Sequence, residues 1–155
     1  MPRLSSSILI QADRDTVFRI LRDIENYPRY FRYIRGAHIV ADEGDTVVAD
    51  IDESIHGITQ RLRNRFRFYP PVRVEAEQIK GPFRSARAQF TLEETPNGTR
   101  LEHLAEFEIG RGLLGKVIHR FVADAFAQQR MAEEMVAIRQ AAEMTAKKDA
   151  DREGR

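Results

Sequence analysis

A histidine in an apolar segment is the residue of this chain best suited to contact a ligand through a polar group. His103 alternates with Leu101, Ala105 and Phe107, a spacing that places all four side chains on one face of a strand. Imidazole titrates near neutral pH and can exchange a proton. The sequence supplies no obvious second group, so the pattern fits both a hydrogen-bonded core histidine and a histidine that contacts a ligand carbonyl or hydroxyl.

Four arginines at alternating positions are a second candidate feature. They are Arg61, Arg63, Arg65 and Arg67. A strand face of this kind could bind phosphate, RNA or an acidic lipid, or it could form ion pairs with neighbouring strands. Acidic residues with the same spacing precede and follow the run and favour the ion-paired arrangement. They are Asp50, Asp52, Glu75 and Glu77.

Several common site chemistries are missing from the sequence. The chain has no cysteine, which excludes disulfides, zinc–thiolate sites and cysteine nucleophiles. The histidines lack the spacing of a metal site, and no serine lies in a nucleophile-elbow motif. We therefore predict no metal ion, no cofactor and no catalytic residue from the residue types.

Length and charge limit the function classes. The chain has 155 residues, 42% of them hydrophobic, which is enough for one domain with its own core. Its 25 basic and 24 acidic side chains nearly cancel, so net charge alone would not drive binding to nucleic acid. No segment resembles a signal peptide or a membrane span, and we expect a cytoplasmic protein. Tyrosines and arginines over residues 27–35 suit a membrane boundary, which makes peripheral membrane contact an option.

The elements that must position these side chains follow from the periodicity. A strand over residues 5–11 precedes a helix that begins at Asp13 and a short helix over residues 28–33. Six strands follow, over residues 37–41, 46–55, 58–68, 72–79, 83–92 and 100–109. The period then returns to 3.6 over about residues 113–144, where one helical stripe includes Gln128, Ala132 and Met135.

This order predicts one α+β domain over residues 1–146 and a charged, frayed tail over residues 147–155. Strands on short turns form an antiparallel sheet, and only the long helix is large enough to cover its apolar face. A curved sheet around one helix leaves a cavity that suits a small apolar ligand. A glycine-rich segment over residues 110–115 is interpreted as the flexible corner that admits the long helix and gates this cavity.

Three short motifs occur in order along the chain. They are Asp-Ile-Glu-Asn-Tyr-Pro-Arg-Tyr-Phe at residues 23–31, Gly-Pro-Phe at 81–83, and Gly-Thr-Arg-Leu at 98–101 followed by Glu106 and Phe107. Together they resemble motifs of the START-like helix-grip proteins, of the coenzyme Q-binding and polyketide cyclase/dehydrase type. The resemblance covers about residues 3–142. It implies a curved sheet wrapped around a long C-terminal helix, with a cavity for a quinone, a lipid or an aromatic polyketide-like compound.

The resemblance also implies that Arg65, Glu77 and Glu134 occupy cavity positions. Strand alternation disagrees for Arg65, because it turns the neighbouring Leu62 and Phe66 inward, and a β-bulge would be needed to reconcile the two. A buried Arg65 would need a carboxylate partner, for which Glu134 and Glu77 are the candidates. The predicted ligand-binding residues are His103, Arg65, Phe31, Phe90, Glu77, Glu134 and Phe107.

Two alternatives to a non-catalytic binding protein stay open at this point. A polyketide cyclase or dehydrase would use His103 or Arg65 to polarise a carbonyl group. A module that contacts RNA or the ribosome, as in the related ribosome-association toxins, would use the arginines within residues 29–35 and 61–73 as one surface. The resemblance favours the binding of a small hydrophobic ligand, and the residues exclude neither alternative.

Overall fold

The segments with period-two patterning form seven β-strands in the computed structural model, which describes residues 3–55, 57–109 and 126–154. The strands are β1 (Arg3–Ile10), β2 (Ile34–Asp42), β3 (Thr46–Ile55), β4 (Ile58–Tyr69), β5 (Arg73–Lys80), β6 (Phe83–Thr95) and β7 (Gly98–Ile109). Every strand pairs antiparallel with its neighbours, in the spatial order β1-β7-β6-β5-β4-β3-β2. From β2 to β7, each strand therefore pairs with the next strand along the chain, and β1 pairs with β7.

Helices lie between β1 and β2 and at the C-terminal end of the chain. They are α1 (Arg14–Arg22), a 3-10 turn (Ile24–Asn26), α2 (Tyr27–Tyr30) and α3 (Phe126–Glu153). Helix α1 begins where the sequence predicts, because the Asp13 carboxylate accepts a hydrogen bond from the backbone N–H of Thr16 at 2.7 Å. The short elements α1 and α2 stand between β1 and β2, as the sequence order requires.

The core lies between the inner face of the sheet and one stripe of α3. The buried residues of α3 are Ala127, Met131, Met135, Ile138 and Ala142. Their spacing of three or four residues keeps them on one helix face, which packs on the apolar positions of the strands and on α1. The α+β helix-grip fold expected from the sequence is confirmed.

Three details differ from the sequence-based expectations. Helix α2 ends at Tyr30 because the backbone of Phe31 is extended. The buried stripe of α3 is rotated from the predicted one, since Gln128 and Ala132 are exposed. Helix α3 also continues through residues 147–153, where Asp149 forms an ion pair with Arg19 at 3.1 Å. The predicted helix start at residue 113 and the glycine-rich corner lie outside the described residues.

Candidate functional site

A row of alanines across three neighbouring strands opens a cavity between the sheet and α3. Ala76 of β5 is opposite Ala88 of β6, and Ala88 is opposite Ala105 of β7. Leu4 and Phe66 continue the row on the two outer sides. All five residues line the cavity. Because a methyl group occupies less volume than the larger apolar side chains, the row leaves space that α3 does not fill.

The cavity has a volume of about 230 Å³. This is somewhat below the range of about 300–1,000 Å³ typical of pockets for drug-sized ligands, so a small ring compound fits better than a long chain. Phe31, Phe90 and Phe107 contribute aromatic walls at the positions that the sequence predicted. Leu101, which also points inward, belongs to the fully buried core.

His103 lies in the cavity wall beside an aromatic ring. Its imidazole stacks on Phe90, with the ring centres 4.1 Å apart and the planes 19° from parallel. Only 6% of the side chain is exposed, and Nδ1 has no hydrogen-bond partner among the described residues. Burial lowers the pKa of the imidazole to about 4, so the ring is neutral at pH 7.

Glu134 of α3 faces His103 across the cavity wall. Its Oε1 is 4.0 Å from His103 Nδ1, which is too long for a hydrogen bond. Its Oε2 accepts a hydrogen bond from the Tyr33 hydroxyl at 2.8 Å. Burial raises the pKa of the carboxyl to about 7, against the opposing effects of the Tyr33 hydrogen bond and the Arg130 charge. The carboxyl can therefore gain or lose a proton near neutral pH at little free-energy cost.

An ion pair between α3 and β3 completes the polar part of the site. Arg130 Nη1 donates a hydrogen bond to Glu53 Oε1 at 3.1 Å. The guanidinium also lies 4.3 Å from the centre of the Tyr33 ring and 4.8 Å from that of Phe126. Burial raises the pKa of Glu53, and the neighbouring Arg130 opposes that effect. We call the side chains of His103, Glu134, Tyr33, Arg130 and Glu53, all of which line the cavity, the polar cluster.

Three members of the polar cluster were not predicted from the sequence. Glu53 occupies an inward position of β3 between Ile51 and Ile55, so a single acid in an apolar alternation was a usable signal. Arg130 precedes Glu134 by four residues and therefore shares its helix face. Tyr33 gave no comparable signal, because it lies between α2 and β2 in a segment without a period.

The expectation that Arg65 and Glu77 point into the cavity is wrong. Alternation along β4 turns Leu62 and Phe66 into the cavity, which leaves Arg65 on the outer face of the sheet. Glu77 is directly opposite Arg65 on β5, and both line a groove on that outer face. The partner of Glu134 is thus not Arg65.

The β-bulge that could have turned Arg65 inward is present, but in the neighbouring strand. The pairing of β4 with β5 shifts between Arg63, opposite Lys80, and Asn64, opposite Gln78. The extra residue is therefore Ile79 of β5. Because β4 itself contains no extra residue, its alternation is unchanged.

Two of the four alternating arginines, Arg61 and Arg63, form ion pairs with aspartates of β3. Arg61 donates two hydrogen bonds to Asp52, at 2.8 and 3.1 Å, and Arg63 makes the same contacts with Asp50. These hydrogen bonds lower the pKa of both aspartates. The ion-paired interpretation of this strand is confirmed for these two arginines.

The tyrosines of the 27–33 segment are hydrogen-bonded within the protein. The Tyr27 hydroxyl donates to the Leu21 carbonyl, and the Tyr30 hydroxyl donates to Asp23 at 2.6 Å. Among the described residues, no helix has the length and hydropathy needed to cross a membrane. The same part of the chain holds no group of three or more side chains arranged to bind a metal ion.

Two relatives align with 80% and 60% of this chain, at sequence identities of 21% and 30% respectively. The chain is 21% identical over 129 residues to the ribosome association toxin RatA of Vibrio cholerae, covering 80% of this chain and 90% of the toxin. It is 30% identical over 101 residues to a putative polyketide cyclase of Streptomyces halstedii, covering 60% of this chain and 89% of that protein. Relatives with different described activities therefore share this sequence pattern.

Solved structures share the fold. The Zhui aromatase/cyclase from Streptomyces sp. R1128 has a TM-score of 0.78 at 15% identity, covering 92% of this chain and 93% of its own. A START superfamily protein from Mycobacterium smegmatis has a TM-score of 0.70 at 19% identity, covering 94% and 97%. The family model for polyketide cyclase / dehydrase and lipid transport proteins matches residues 10–134. The chain belongs to this polyketide cyclase/dehydrase and lipid transport family.

Proposed function

We propose that this protein binds a small, mainly apolar ligand non-covalently in the cavity between the sheet and α3. The observation that carries the proposal is the cavity itself, with alanines and aromatic rings as its apolar walls and the polar cluster at one side. Apolar walls of this kind bind by excluding water, while a few polar groups orient the ligand. A quinone, a lipid with a compact ring or an aromatic polyketide-like compound suits this chemistry.

The expected affinity is modest. Burial of about 300 Å² of apolar ligand surface, at about 25 cal/mol per Å², gives about 7 kcal/mol before the cost of association is subtracted. A micromolar dissociation constant corresponds to about 8 kcal/mol of net binding free energy, so apolar burial alone gives an affinity weaker than micromolar once that cost is subtracted.

The apolar fluorescent probe N-phenyl-1-naphthylamine tests the proposal. Ala105→Phe places a ring inside the cavity, whereas Leu104→Phe adds the same ring on the outer face one residue away. We expect the wild type and Leu104→Phe to bind the probe alike and Ala105→Phe to bind it at least tenfold more weakly. Thermal unfolding of each variant verifies that it folds. Failure of the wild type to bind, or equal binding by folded Ala105→Phe, would contradict the proposal.

Proton transfer in the same cavity is a second candidate function. It is favoured by Glu134, whose carboxyl has a pKa of about 7 and faces the unpaired Nδ1 of His103. A carboxylate here could remove a proton from an acidic C–H bond of a bound diketone and return a solvent deuteron to that carbon. Deuterium exchange into benzoylacetone would be faster with the wild type than with Glu134→Gln if this function holds, and the same with both if it does not.

The similarity to ribosome association toxins raises the alternative of an RNA-binding surface. Aspartates neutralise Arg61 and Arg63, and Arg32 lies 3.9 Å from Glu133. Affinity for RNA depends on cations that can displace counterions from phosphates. These three ion pairs reduce the number of cations that can contact phosphates, which weighs against ribosome binding as the function of this chain.

A further inference from the structure

The unpaired nitrogen of His103 is the feature of the cavity that says most about its ligand. A buried imidazole nitrogen without a hydrogen bond is unfavourable, and buried polar atoms are almost always satisfied. Nδ1 has no hydrogen-bond partner among the described residues, although only 6% of the His103 side chain is exposed to solvent. The nearest carboxylate oxygen, Glu134 Oε1, stops 4.0 Å away.

That separation fits one bridging atom. A hydroxyl oxygen placed about 2.6–2.8 Å from both Nδ1 and Oε1 would subtend an angle of about 90–100°, close to the angle between a hydroxyl proton and a lone pair. The Tyr33 hydroxyl already donates to Oε2, so Oε1 is the oxygen that faces His103. The pair is thus a two-point site of fixed width.

A hydroxyl suits this gap because it can both donate and accept a hydrogen bond. A neutral imidazole presents Nδ1 either as an N–H donor or as an acceptor, and the carboxyl of Glu134 presents Oε1 either as an acceptor or as an O–H donor. A hydroxyl completes the bridge when one side donates and the other accepts, whichever side that is. A carbonyl or ether oxygen can only accept and would leave one side unpaired in those arrangements.

We infer that the ligand carries a hydroxyl group attached to an aromatic or enolic ring, and that this hydroxyl bridges His103 Nδ1 and Glu134 Oε1. The inference rests on the function proposed above and names the chemical class of its ligand. The ring follows from the surroundings of the bridge, because Ala88 and Ala105 leave room beside the stacked rings of His103 and Phe90. A planar ring placed on the alanine row would direct its hydroxyl to the bridge.

Two matched probes test the inference. 1-Naphthol and 1-methoxynaphthalene share one ring system, but only the first can donate a hydrogen bond. We expect the wild type to bind 1-naphthol at least tenfold more tightly, which is about 1.4 kcal/mol. In His103→Phe the preference should fall below about twofold while 1-methoxynaphthalene still binds. Asn64→Leu is the control, since it removes a different polar side chain from the cavity and should retain the preference.

A measurement on the wild type does not depend on the folding of any variant. The ¹⁵N resonance of His103 Nδ1 should move on addition of 1-naphthol and stay in place with 1-methoxynaphthalene. Equal binding of both probes by the wild type, a preference that survives in folded His103→Phe, or a fixed Nδ1 resonance would overturn the hydroxyl inference and leave cavity binding intact. Absence of binding by either probe, and by N-phenyl-1-naphthylamine, would overturn the proposed function as well.

Discussion

Removing Glu134 or His103 should change the pH dependence of stability in opposite directions. In the folded protein the pKa of Glu134 is about 7, against 4.5 for a glutamate in the unfolded chain. Between these values the folded state holds a proton that the unfolded state releases, so stability falls as pH rises. The pKa of His103 is about 4 when folded and 6.5 when unfolded, so between those values unfolding takes up a proton and stability rises with pH.

The two windows overlap between pH 4.5 and pH 6.5. Each group contributes at most about 1.4 kcal/mol per pH unit there, and about 2 kcal/mol across the window because the slope is smaller near its edges, with opposite signs for the two groups. The free energy of unfolding of Glu134→Gln minus that of the wild type should therefore rise by about this amount. The same difference for His103→Phe should fall by a similar amount. Glu53, whose pKa is also raised, is present in all three proteins. Because the Glu134 charge contributes to that rise, Glu134→Gln lowers the pKa of Glu53, which adds to the expected rise of its difference and does not reverse its sign.

Urea unfolding followed by circular dichroism at a series of pH values measures these differences. Glu133→Gln is the matched control, since its side chain is 49% exposed on the same helix and water solvates its charge in both states. The difference in free energy of unfolding between Glu133→Gln and the wild type should change little with pH. If the differences for Glu134→Gln and His103→Phe are also flat, or slope in the same direction, burial does not shift these groups and the account of the polar cluster is wrong.

Three further predictions follow from burial and strand orientation. Ile138→Ala, at a fully buried position of α3, should lower the free energy of unfolding by about 2–5 kcal/mol in urea titrations, and a loss below about 1 kcal/mol would show that α3 does not cover the core. Thr99→Val removes the buried hydrogen bond from Thr99 Oγ1 to the Ala12 carbonyl at 2.7 Å and should cost about 1–3 kcal/mol in the same assay, whereas an unchanged midpoint would contradict that contact. Arg65→Ala changes only the outer face and should leave the dissociation constant of N-phenyl-1-naphthylamine within about twofold; a larger loss would place Arg65 in the cavity after all.

Strand alternation was the most dependable guide to this structure. It predicted all seven strands of the described chain, the inward side of His103 and the cross-strand pairs of Arg61 and Arg63 with aspartates. It also gave the correct orientation of Arg65 where the family resemblance gave the wrong one. The reason is physical, because a period of two survives unless the strand itself gains a residue, and the bulge lies in β5.

The helix and the polar cluster were harder to predict. An alanine-rich helix has several faces of similar hydrophobicity. The sequence therefore predicted a stripe through Ala132, whereas in the structure Met131 is buried and Ala132 is exposed. His103 and Glu134 were both singled out, but their pairing depends on how α3 lies across the sheet. The link through Tyr33 joins residues 101 positions apart, a distance that no local pattern spans.

The central claim, that a ligand occupies the cavity beneath α3, is tested most directly by the methyl groups of the methionines. Met131 lines the cavity, whereas Met144 lies further along the same helix and is 60% exposed. With ¹³C-methyl methionine and added 1-naphthol, we expect nuclear Overhauser contacts from the ligand ring to the Met131 methyl and none to Met144. Contacts to Met144 alone, or none to Met131 at a ligand concentration that saturates binding, would contradict the account.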